Sequence, residues 1–94
     1  MSDIRSVRVR ISGRVQGVGY RAWTVDEARR RGLSGWVRNL QNGDVEAVFS
    51  GPRVTVEQML KACRSGPALA RVTSAQIVED VAPLSGTFAV RYGG

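Results

Sequence analysis

The chain has 94 residues, enough for one small domain spanning 1–94 and too few for a second core. Hydrophobic residues make up 43% and charged residues 23%, the balance of a chain that folds. One cysteine, Cys63, and no histidine exclude an intrachain disulfide, a zinc site of Cys and His ligands, and Ser-His-Asp or Cys-His catalysis.

The formal net charge is +6, from 14 basic and 8 acidic residues, and Lys61 is the single lysine among thirteen arginines. Such a balance favours anionic partners, although genome composition or thermal adaptation would produce the same arginine bias. No apolar run approaches the roughly 18 residues of a membrane span. The polar stretch from Met1 to Val7 has no signal-peptide core. With one cysteine and no export signal, the expected location is cytoplasmic.

Residues 1–6 read as a loose leader. Val7, Val9 and Ile11 then alternate with Arg8, Arg10 and Ser12, the period of a strand with one apolar face. A glycine-punctuated loop, 13–19, leads into a helix predicted from Tyr20 or Ala22 to Arg31. Gly32 is placed to end that helix, and Arg29, Arg30 and Arg31 suit its negative end. Gly35–Leu40 reads as a second strand. Asn42-Gly43 is a hairpin signal, since both residue types tolerate positive φ, and Val45–Ser50 is the return strand.

Gly51-Pro52 is expected to break the chain. Thr55 and Gln58 have capping-box spacing, and Val56, Met59, Leu60 and Cys63 mark one face of a second helix, stopped by Gly66-Pro67. Cys63 on that face reads as a small core residue. Val72–Val81 suits a fourth strand, and Phe88, Val90 and Tyr92 alternate in a last one. The order predicts an α+β fold, a ferredoxin-like βαββαβ sandwich. Two helices would cover one face of a four- or five-stranded, mostly antiparallel sheet, with right-handed crossovers.

Two segments carry chemistry. In Ser12–Arg21, three glycines within seven residues join a strand to a helix. Glycines let successive N–H groups point into one concavity, and a helix N-terminus adds partial positive charge. Arg21 would place a guanidinium fork beside that concavity. The spacing fits neither a P-loop nor a dinucleotide fingerprint, and a tight turn with a solvated Arg21 would read the same way. The second segment is Gly35-Trp36-Val37-Arg38-Asn39. Asparagine is disfavoured in strands, so Asn39 either orients a water or substrate or bonds to nearby backbone. Val37 shares its face, but Trp36 and Leu40 are apolar too, which leaves the outward face open.

Together the two segments resemble the acylphosphatase family. The first signature reads Gly13-Arg14-Val15-Gln16-Gly17-Val18-Gly19-Tyr20-Arg21. The second reads Gly35-Trp36-Val37-Arg38-Asn39 followed by Gly43, Val45 and Gly51. The stretch from Gly66 to Val72 resembles the family's link into its fourth strand. Tyr20 stands where many members have phenylalanine, and the run Arg29–Arg31 is unusually basic. The resemblance covers about Val7 to Tyr92. It implies hydrolysis of the carboxyl-phosphate bond of a small-molecule acyl phosphate to a carboxylate and inorganic phosphate, without metal or cofactor. Carried over, Arg21 is the phosphate-binding catalytic arginine and Asn39 the water-orienting residue. Val15, Gln16, Gly17, Val18, Gly19 and Tyr20 form the phosphate cradle.

Trp23 and Trp36 read as packing residues. Asp26, Glu27, Asp44, Glu46, Glu57, Glu79 and Asp80 read as solvated, with the adjacent pair Glu79-Asp80 pointing to opposite faces. The same element order and basic charge would suit an RNA-recognition module. Its two-aromatic platform is missing, however: the third strand offers Phe49 and the first offers none, so no nucleic-acid partner is expected. An anion-binding domain without turnover would keep the same cradle, and a module of a larger carbamoyl-transfer maturation protein would carry similar signatures. The compact length and the start at Met1 favour a stand-alone enzyme, expected to act as a monomer.

Overall fold

The computed structural model describes residues 3–92. Its elements run β1 (Ile4–Arg14), α1 (Tyr20–Arg30), β2 (Ser34–Asn39), β3 (Val45–Pro52), α2 (Arg53–Cys63), β4 (Arg71–Asp80) and β5 (Ala89–Val90). The strands form one sheet in the order β4-β1-β3-β2-β5. Every pairing is antiparallel except β2 with β5. This is the ferredoxin-like α+β arrangement that the period-2 and helical patterns imply, with a fifth strand added at the edge.

The alternation in β1 buries Val7, Val9 and Ile11 on one face. Val37 of β2 and Val45, Ala47 and Phe49 of β3 join them, and Ala28 of α1 and Val56, Met59 and Cys63 of α2 close the core from the helical side. Cys63 is fully buried, as a core residue should be. Burial pushes its thiol up to about 12, so it is no thiolate nucleophile at neutral pH.

Several boundaries differ from those the sequence predicts. The strand begins at Ile4 within the supposed leader, because Ile4, Arg5 and Ser6 pair with Pro52, Gly51 and Ser50; Met1 and Ser2 lie outside the described residues. Gly51-Pro52 therefore does not break the chain. Pro52, at φ −56°, ends β3 and caps α2, which starts at Arg53. The Thr55–Gln58 box falls inside the helix, which has no side-chain cap bond. The Arg53 N–H is satisfied instead by the Asp3 carbonyl at 2.8 Å. In the hairpin, Gly43 alone takes positive φ, at 97°. Gly43 N–H donates to the Leu40 carbonyl and Leu40 N–H to that of Asp44, a three-residue loop in which Asn42 keeps ordinary geometry.

The most consequential difference concerns Glu46, which is not solvated. It points to the helix-free face of β3 and is 1% exposed. Arg8 lies 2.6 Å from one of its oxygens and Arg38 2.7 Å from the other, with Arg10 at 3.8 Å. Burial pushes the carboxyl pKa up, but hydrogen bonds from Arg38 and Arg8, reinforced by their charge, outweigh this and leave it below its ordinary value.

The chain after β4 crosses the sheet as a strap. Ser6, Ser50 and Ser34 are cross-strand neighbours, and each meets it. The Ser6 hydroxyl donates to the Ala82 carbonyl at 3.2 Å, and Leu84 N–H donates to the Ser50 hydroxyl at 3.0 Å. The Ser34 hydroxyl donates to the Gly86 carbonyl at 2.7 Å. Phe88 then enters the core and stacks on Phe49 with centroids 5.5 Å apart. The expected last strand shrinks to Ala89–Val90, and Tyr92 is 80% exposed.

Candidate active site

The loop between β1 and α1 is held by its valines and shaped by its glycines. Val15 and Val18 bury their side chains in the core. Gly17 and Gly19 take φ of 74° and 79°, in the left-handed region where other residues are strained. Gly19 is the N-cap of α1 and brings no side chain to cap it. Trp23 N–H reaches back to the Gly19 carbonyl at 3.0 Å. Among the described residues, no backbone carbonyl accepts a hydrogen bond from the N–H groups of Gln16, Gly17, Val18, Gly19, Tyr20 or Arg21 outside regular structure. These donors sit at the positive end of α1.

Tyr20 is buried beneath the loop. Its hydroxyl donates to the Cys63 carbonyl at 2.6 Å, and burial raises its pKa, so it stays protonated. Arg21 follows in the first turn. No carboxylate among the described residues pairs with it, and its guanidinium lies 5.8 Å from the Tyr92 ring centroid.

Asn39 ends β2. The face left open by the sequence is settled by Val37, which is fully buried, so odd positions of β2 turn toward the helices. Trp36 lies on the other face, with the Arg38 and Arg91 guanidiniums 5.3 and 4.8 Å from its ring. The Asn39 Oδ1 atom is buried and has no hydrogen-bond partner among the described residues. Gly35 allows this strand to lie so close to β3, because a Cβ there would collide with the Val48 carbonyl.

These elements meet at one cavity of about 230 Å³. Val15, Gln16, Gly17, Gly19, Tyr20, Arg21 and Ala22 line one side, and Asn39, Val90 and Tyr92 the other. The structure thus brings together every expected site residue except the Val18 side chain, which anchors the loop from below. Among the described residues, no acidic side chain lines the cavity. Sequence reasoning placed Val90 and Tyr92 in a last strand by their alternation but missed them as rim residues, because it is the parallel pairing of Ala89–Val90 with β2 that carries them there. It also missed the Gln16 side chain, whose Nε2 donates to the Leu40 and Asp44 carbonyls, each at 2.8 Å.

The family model described as Acylphosphatase matches residues 7–90. An acylphosphatase of Rhodospirillum rubrum is 54% identical over 80 residues, which is 85% of this chain and 88% of the relative. One of Azorhizobium caulinodans is 61% identical over 77 residues, 82% of this chain and 83% of the relative. Among solved structures, an acylphosphatase from Coxiella burnetii superposes with a TM-score of 0.88 at 33% identity, covering 95% of this chain and 94% of that one. The chain belongs to the acylphosphatase family of hydrolases.

Proposed function

We propose that the cavity hydrolyses small-molecule acyl phosphates through Arg21, the loop N–H groups and Asn39. The phosphoryl group sits in the cradle of Val15–Tyr20, where unpaired N–H donors and the helix N-terminus meet negative charge. Arg21 offers a fork to two phosphoryl oxygens. Asn39 Oδ1 accepts a hydrogen bond from a water molecule and aims the water oxygen at phosphorus. A bond forms from the water oxygen to phosphorus, and the phosphorus–carboxylate bond breaks. The carboxylate leaves with the electron pair, and the water proton passes to phosphate or solvent.

The chemistry asks little of a general acid or base. A carboxylate is a good leaving group and the phosphoryl transition state is loose, so positioning and charge carry the rate. The lining matches this demand, since among the described residues no acidic side chain lines the cavity and the chain has no histidine. The observation that carries the reading is the buried, unpartnered Asn39 Oδ1 in the same cavity as Arg21 and the open cradle. A buried acceptor without a partner is costly and calls for one.

The enzyme is read as metal-independent, monomeric and cytoplasmic. No helix among the described residues is long and apolar enough to cross a membrane. The test is hydrolysis of an aryl acyl phosphate by the purified protein in excess chelator, beside Arg21→Ala and Asn39→Ala. Turnover that resists chelation and is lost in both folded variants supports the assignment. Activity retained in either variant removes that residue from it, and activity lost to chelator removes metal independence.

A further inference from the structure

The geometry points to the Gln16 side chain as a positioning residue that sets the distance between the phosphate cradle and Asn39. The inference rests on the reading of Asn39 as the water-orienting residue and adds to it a role for a side chain outside the cavity chemistry. Gln16 contributes its backbone to the loop, while its carboxamide turns away to the mouth of the β2–β3 hairpin. Both hydrogens of Nε2 are used, one on the Leu40 carbonyl and one on the Asp44 carbonyl, at 2.8 Å each. Because both acceptors are carbonyls, the amide has one workable orientation.

The two carbonyls belong to the last rung of the hairpin. Leu40 N–H donates to the Asp44 carbonyl at 2.8 Å, and Gly43 N–H donates to the Leu40 carbonyl at 3.3 Å. The carboxamide therefore bolts the loop to a closed ring of hydrogen bonds one residue beyond Asn39. Among the described residues, no other side chain of the cradle loop hydrogen-bonds to the β2–β3 hairpin. Arg21 is carried by α1 and Asn39 by β2, so the bolt fixes the distance between nucleophile and phosphorus without touching either. A misplacement of about 1 Å at such a distance costs on the order of 10²-fold in rate.

The experiment compares Gln16→Met, Asn39→Ala and the double variant, reading kcat on an aryl acyl phosphate and inhibition by inorganic phosphate. Methionine keeps the length and removes both hydrogen bonds. The expected result for Gln16→Met is a kcat lowered about 10- to 100-fold. Its phosphate inhibition constant should stay within about threefold, because the cradle and Arg21 remain. The double variant should be no slower than Asn39→Ala beyond about threefold, since the bolt acts through Asn39. Gln16→Glu gives a second readout. An ionised carboxylate would face two carbonyls and open the ring, so its kcat should rise as pH falls and the carboxyl gains a donor proton.

The proposal is overturned if Gln16→Met keeps kcat within about twofold while Asn39→Ala is inactive. It is equally overturned if the two losses multiply in the double variant, or if phosphate affinity falls with kcat as a loosened fold would require. A Gln16→Glu profile parallel to that of the wild type also overturns it, and decides the matter should the methionine variant not fold. Full activity in Asn39→Ala would remove the underlying reading of Asn39 itself, an outcome distinct from failure of Gln16.

Discussion

The Tyr20 hydroxyl donates a 2.6 Å hydrogen bond to the Cys63 carbonyl, tying the first residue of α1 to the last residue of α2. Both ends are buried, and Cys63 is in the last turn of a helix, where carbonyls lack intrahelical partners. The Tyr20 ring is held in turn by Gly66, at which a Cβ would meet the ring at 2.7 Å. The residue that opens the helix under the glycine loop is thus fixed from the far side of the core. Tyr20→Phe should leave the ring packing intact and orphan the carbonyl. The expected cost is about 1–3 kcal/mol in urea denaturation. Turnover should change little, since Arg21 and the loop keep their packing; a large fall in kcat with unchanged stability would contradict this.

Glu46 makes a pH-dependent contribution of definite sign. Its carboxyl pKa is depressed in the folded protein from an ordinary 4.5, because hydrogen bonds from Arg38 and Arg8 outweigh the cost of burial. The ionised form therefore stabilises the fold above that ordinary value, and the contribution is lost as pH falls through the depressed folded value. Glu46→Gln should destabilise the protein by about 3 kcal/mol at neutral pH, since it leaves Arg8, Arg38 and Arg10 facing one another. The gap between wild type and variant should narrow as pH is lowered below 4.5. Denaturation curves at neutral and acidic pH check both parts. A constant gap would show that the ion network does not set acid stability.

The legible and illegible features divide along the range of the interactions. The glycine turn could be read because Gly17 and Gly19 need their positive φ wherever the chain makes it, and Arg21 follows directly in sequence. The alternation of β1 reads correctly because Val7, Val9 and Ile11 face one core. Glu46 could not be read, since its burial depends on Arg8 from β1 and Arg38 from β2, brought in by pairing register. The serine row is of the same kind: Ser6, Ser34 and Ser50 look like ordinary polar positions until the strap meets them. Asn39 was legible in kind but not in direction, because the flanking Trp36 is apolar and yet lies outward beneath two arginines.

Phe88 couples the strap to the site. It is fully buried and stacked on Phe49, and its carbonyl accepts a 2.8 Å hydrogen bond from Arg29 Nε. Immediately beyond it, β5 carries Val90 to the cavity rim, with Tyr92 after it. Phe88→Ala should cost about 3–5 kcal/mol. If the variant still folds, its loss should show as a raised KM for an aryl acyl phosphate with a smaller effect on inhibition by inorganic phosphate. That split follows because Val90 and Tyr92 flank the cavity opposite the cradle, where the acyl group would emerge. Equal losses for both ligands would place the damage in the cradle instead.

Arg21 offers the sharpest comparison between charge and shape. Its guanidinium meets no carboxylate among the described residues and lies beside the Tyr92 ring. Arg21→Ala removes both the charge and the fork, and should lower kcat on the order of 10³–10⁵-fold. Arg21→Lys keeps the charge but presents a point donor that cannot hold two phosphoryl oxygens in one plane. If charge alone stabilises the transition state, lysine restores most of the rate. If the fork holds the phosphoryl group in line with the Asn39 water, lysine should bind inorganic phosphate nearly as well as arginine yet turn over much more slowly. A lysine ammonium at this position would still offer its charge to a phosphate beside the open loop N–H groups, whereas no other side chain lining the cavity offers a paired charged donor to fix its orientation. Lysine is therefore expected to recover binding and not rate, and steady-state kinetics with phosphate as inhibitor separates the two.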